Sequence, residues 1–165
     1  MVFKFWGFVT TVMLSVGMPL SYISDLNDFQ MLYSDQFIVD GTRRSGGYNY
    51  EEKVVKLYKG ATRDTVVHEI GHHICYKYNH PKIFGRGESM LDFVSEYAMT
   101  NNREDCAETI EWFYTHDFKI RNVCARSRIL CRKVLQVYRW HNINVKLTTA
   151  MSGFMQNNYF FKSLQ

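Results

Sequence analysis

Polarity along the chain changes period several times. After Lys4, residues 5–20 are uncharged and mostly apolar, and the polar, acidic residues 24–28 follow. One basic residue before such a run reads as a secretory signal, with Ser15, Val16 and Gly17 at the cleavage positions. It reads equally as an uncleaved anchor slightly short of a full span, or as a buried N-terminal helix. Residues 37–40 and Val54–Tyr58 are short runs of β-branched and aromatic residues around the Gly-rich residues 40–47, which predicts two strands and a loop. Two strands there would form a small sheet whose edge can pair with an extended peptide. Gly60 to Thr62 break the second strand. Thr62 or Asp64 then caps a helix expected to run to about Asn79, where His80 and Pro81 stop it.

Residues 83–88 predict a loop, and residues 89–97 a short helix or turn. A second helix starts with Asn101 or Asn102 as its cap and continues through Trp112, Phe113 and Tyr114, which should pack on the first. Val123, Leu130, Val134, Val137 and Tyr138 recur at helical spacing, so residues 124–140 predict an amphipathic helix docked on the body. Arg121, Arg126, Arg128, Arg132 and Arg139 would form its outward face. Residues 151–165 have no pattern that places them.

A length of 165 residues with 46% hydrophobic content suits one domain with a real core. Scarce proline and abundant aromatics argue against disorder. The charge is divided: residues 1–117 hold eleven basic and sixteen acidic side chains, residues 118–165 nine basic and no acidic ones. Three stretches follow: residues 1–24 as signal or anchor, 25–117 as the core, and 118–165 as a basic helical extension. No nucleic-acid motif accompanies the basic stretch, so its plain reading is a solvated face complementing the acidic body. The N-terminal run and this basic helix are the segments that would meet a membrane. Four cysteines, Cys75, Cys106, Cys124 and Cys131, are too scattered for a structural zinc motif. They read as buried small hydrophobes, with a Cys75–Cys106 bridge conceivable in an exported chain.

The first helix carries His68-Glu69-Ile70-Gly71-His72. Residues four apart share a helical face, so His68 and His72 can offer imidazole nitrogens to one zinc ion. Glu69 stands to one side, placed to take a proton from water beside the metal. Gly71, costly inside a helix, implies that something approaches the backbone closely there. A third ligand in the pattern H-E-x-x-H-x-x-G-x-x-H would need Gly at 75 and His at 78, where this chain has Cys75 and Tyr78. His73 and His80 point to other faces. On the second helix Glu104 and Glu108 lie four apart, and spacing alone leaves open which is the ligand and which supports.

These two segments together, H-E-I-G-H and the later Ser-Glu-Tyr-Ala-x-Thr-Asn-x-x-Glu-x-x-Ala-Glu, resemble the catalytic domain of the anthrax lethal factor and Pro-Pro endopeptidase family of gluzincins, over about residues 36–116. The resemblance implies His68, His72 and Glu104 as ligands to one zinc ion and Glu69 as general base. It also implies Tyr97, seven residues before Glu104, as donor to the oxyanion. Glu108 would then orient a zinc-bound histidine. Two departures are that Asp105 and Cys106 replace aromatics common in the family, and that His72 and Glu104 are only 32 residues apart. The expectation is an α+β gluzincin-type peptidase acting on a peptide or protein substrate, secreted or membrane-anchored, and intracellular if residues 1–24 form a structural helix. The contrasting expectations are a catalytically silent, zinc-stabilised secreted binding protein or effector, and a membrane-tethered interaction protein without zinc.

Overall fold

The computed structural model describes residues 3–32, 37–39, 42–58 and 60–162, with side chains at 6–27, 30, 45–58, 60–147 and 149. It is an α+β structure. α1 (Phe3–Ser15) leads through a 3-10 turn (Leu20–Ile23) to β1 (Asp28–Leu32), β2 (Phe37–Val39), β3 (Thr42–Arg44), β4 (Gly46–Asn49) and β5 (Val54–Tyr58). α2 (Arg63–Lys77), 3-10 turns at Met90–Asp92 and Tyr97–Met99, α3 (Asn102–Thr115), α4 (Ile120–Arg126) and the long α5 (Arg128–Lys162) complete it.

α2 is the organising element. Thr62 caps it reciprocally with Thr65, and Val66, Val67, Ile70 and Ile74 are all buried in the main core. Each such side chain contributes about 1.5–3 kcal/mol by leaving water. After Lys77 the helix unwinds through Asn79 and His80, both at positive φ, into Pro81. Around α2 lie Val9, Val12 and Met13 of α1, Val55 and Leu57 of β5, Ile110 of α3, and Val137 and Trp140 of α5. One core thus draws on residues 1–24, 25–117 and 118–165 alike. The N-terminal run is here a packed helix, and among the described residues no helix is long and apolar enough to cross a membrane.

The sheet differs from the expected two strands. β5 is central, with β1 parallel on one side and β4 antiparallel on the other, while β2 pairs only with β3 in a separate hairpin. β4 falls in the stretch read as a loop, because its first residues are Gly46 and Gly47. A Cβ on Gly46 would lie 2.7 Å from Glu69 Cγ and Oε1, so the missing side chain leaves room for the Glu69 carboxylate rather than marking a turn. Asp40, the last residue of the expected first strand, lies outside the described residues.

α3 crosses α2 at Gly71, where a Cβ would meet the Ala107 carbonyl oxygen at 3.0 Å. This is the close approach that Gly71 implied. Next to it Cys75 and Cys106 form a disulfide, and Cys124 and Cys131 form a second between α4 and α5. The reading of all four as free buried hydrophobes is therefore corrected: no described cysteine is unpaired. Asp92 is buried and accepts bonds from the Glu88 and Ser89 amides and the Ser127 hydroxyl. The five arginines of the basic face are exposed as expected, but Lys133 between them is fully buried against Asp105.

Candidate metal centre

The cleft between β4, α2 and the start of α3 is lined by His68, Glu69, His72, Tyr97, Glu104, Glu108 and Glu111. α2 supplies the two histidines from one face. Asn101 caps α3 by accepting the Arg103 and Glu104 amides, which places Glu104 in the first turn, facing them. Glu104 Oε2 stands 3.2 Å from both His68 Nε2 and His72 Nε2. Zinc arms of about 2.0–2.1 Å at a tetrahedral angle would separate ligand atoms by about 3.3 Å. The observed spacing fits that geometry.

Two further observations fit a cation. Glu104 Oε2 is buried, and apart from the two imidazole nitrogens it has no polar partner among the described residues, a costly condition for a carboxylate oxygen when those nitrogens carry no proton. The outer nitrogens of both imidazoles are occupied: His68 Nδ1 lies 3.0 Å from Glu108 Oε1 and 3.2 Å from Glu111 Oε2, and His72 Nδ1 lies 3.1 Å from the Tyr50 hydroxyl. The carboxylates behind His68 favour a proton on its Nδ1, and the Tyr50 hydroxyl can accept one from His72 Nδ1; in those neutral tautomers each Nε2 lone pair faces the cleft. Without a metal the same carboxylates charge the site. Burial opposes a charged His68, yet Glu104, Glu108 and Glu111 outweigh it and push its pKa up to about 12. Burial likewise disfavours an ionised Glu104, but the two imidazoles hold it well below the usual carboxylate range.

Glu104, not Glu108, faces both Nε2 atoms; Glu108 sits behind His68 and is itself bonded by the Ser95 hydroxyl. Glu69 is buried beside Gly46, and Tyr97 is 43% exposed on the opposite wall, its ring 6.0 Å from that of His68. All six sequence-selected residues thus share one cleft. Glu111 and Tyr50 were missed. Glu111 was legible, being three residues beyond Glu108 and so on the same helical face. No local signal marks Tyr50, which reaches His72 from the turn after β4. His73 faces away as expected, buried between the Tyr48 hydroxyl (2.9 Å) and Asp25 (3.3 Å).

Compared with known proteins, the chain matches no family model and no curated relative.

Proposed function

We propose that the protein is a zinc-dependent endopeptidase of gluzincin type, with one zinc held by His68, His72 and Glu104. The observation that carries this reading is the convergence of Glu104 Oε2 with two Nε2 atoms at 3.2 Å, with that oxygen buried and otherwise without a hydrogen bond. The likeness of the two motifs to the lethal factor and Pro-Pro endopeptidase family supports it independently. When bound, zinc would polarise a carbonyl and acidify water. Glu69 takes the proton of the attacking water and returns it to the leaving amine. Tyr97 donates its hydroxyl to the oxyanion. Glu108 and Glu111 hold His68, and Tyr50 holds His72, in the ligating tautomer. β4 is an outer strand that lines the cleft, and an extended substrate would pair with its free edge. A purely structural zinc site needs neither Glu69 nor Tyr97. Two disulfides suit an exported protein, secreted or membrane-anchored.

The test compares wild type with Glu69→Gln on a diverse peptide library, with zinc measured in the same samples. Cleavage by wild type alone, with about one zinc in each protein, is the expected result. Zinc in both without cleavage would favour the silent binding protein. Absence of zinc from both would overturn the proposal.

A further inference from the structure

Beside the metal cleft lies a second groove of about 790 Å³, sharing Gly46 to Tyr48, Tyr50 and Arg103 with it. Its floor is aromatic. Tyr48 and Tyr50 meet edge-on with ring centres 4.9 Å apart, and Tyr76 packs 5.7 Å from Tyr50. The buried His73, braced by Asp25, holds the Tyr48 hydroxyl in place. At the junction of groove and cleft stands Arg103, in the first turn of α3 next to the ligand Glu104. Its guanidinium lies 4.7 Å over the Tyr50 ring, and Tyr50 in turn touches His72.

Stacking orders this cation without neutralising it. Among the described residues its guanidinium makes no ion pair and no side-chain hydrogen bond, so the planar N–H edges remain available. Lys56 and Glu51 line the same groove and offset one another, and Lys56 is also held 4.0 Å from Glu52, which leaves Arg103 as the effective cation there. The far end of the cleft, by contrast, is acidic, with Asp64, Glu108 and Glu111. A bound peptide therefore meets clustered carboxylates at the cleft's far end and the stacked Arg103 guanidinium at the junction with the groove. An anionic group is repelled from one end and met by a pre-ordered guanidinium at the other.

We infer that Arg103 is the specificity-determining residue of the site and selects substrates with a carboxylate in the tyrosine-lined groove. The carboxylate is either an acidic side chain near the scissile bond or the chain's own C-terminus. This inference rests on the peptidase reading for its substrate, but its binding step can be measured apart from turnover.

The test uses zinc-loaded full-length protein and paired peptides, Asp or Glu against Asn or Gln at each position, and C-terminal acid against amide. kcat/KM is read with wild type, and Kd with labelled peptides on zinc-loaded Glu69→Gln. The carboxylate partner should be favoured about 10- to 100-fold in both readouts, the value expected of a charge-assisted hydrogen bond. Arg103→Gln should bring that ratio close to one, and Arg103→Lys should restore part of it. Whichever arm shows the preference, internal acid or chain end, identifies the source. Equal values for acid and amide partners, or a preference that survives Arg103→Gln, would overturn the inference while leaving peptide hydrolysis standing. Arg103-dependent binding without cleavage would uphold it and defeat the peptidase reading. Neither cleavage nor carboxylate-dependent binding would remove both.

Discussion

Removing the buried lysine gives a quantitative test of how α5 is tied to the site. Lys133 and Asp105 are both fully buried, with Nζ and Oδ2 2.8 Å apart. Lys133 also donates to the Asp92 carbonyl at 2.8 Å and lies 3.9 Å over the Phe93 ring. Asp105 keeps only the Gly85 amide, at 2.6 Å, and a long contact from Thr109. Burial lowers the lysine pKa and raises that of Asp105, and the partner offsets each shift only in part. Lys133→Met leaves Asp105 charged and dry, which costs about 3–5 kcal/mol. At roughly 2–4 °C per kcal/mol for a chain of this size, Tm should fall by about 10 °C. The sign with pH follows from linkage. Without the lysine, the folded-state pKa of Asp105 rises further above its unfolded value, so the charge part of the deficit is absent below the unfolded value and grows to its full size as pH rises through the folded one. Urea unfolding at pH 7 should show the full loss, and at pH 4 a smaller one. Lys133→Met with Asp105→Leu removes the stranded charge and should recover all but about 1–2 kcal/mol, the share of the Asp92 and Phe93 contacts. A single variant within about 1 kcal/mol of wild type at pH 7, or a double variant no better than the single, would refute this account.

Gly46→Ala pushes the Glu69 carboxylate from a position only 2.7 Å from the new Cβ; zinc content should persist while peptide cleavage falls about 100-fold or more, as read by metal analysis beside a peptidase assay. Zinc uptake at pH 7 must displace the proton that His68 holds up to a pKa of about 12, so calorimetry in buffers of different ionisation enthalpy should show about one proton released per zinc. The metal-free protein has the opposite dependence. The contribution of His68 to its stability is full below the unfolded pKa of about 6.5 and is lost as pH rises through about 12, which unfolding at a series of alkaline pH values would trace. Replacing Cys75 and Cys106 together by Ala opens a loop of 31 residues across the α2–α3 crossing and should cost about 3–4 kcal/mol in denaturant unfolding.

Local signals carried the helices. Thr62 and Asn101 act as caps because a side-chain oxygen one residue before a helix serves its first amides wherever it lies. The placement of His68 and His72 on one face, and of Glu104 and Glu108 on another, is a property of helical period. The exposed arginines of α5 likewise follow from their phase against Val134 and Val137. What period does not contain is which faces meet. The choice of Glu104 over Glu108, the bracing of His72 by Tyr50 and the stacking of Arg103 all depend on the angle at which α3 crosses α2, set by Gly71 against Ala107. Strand pairing shows the same division: Val54–Tyr58 is legible as a strand, but its partners follow from tertiary packing, β4 against α2 and β1 against α1, and Gly46 reads as a turn until Glu69 is seen against it. Lys133 looked solvated because charge is normally exposed. Only the burial of Asp105 from a distant segment makes its burial tolerable.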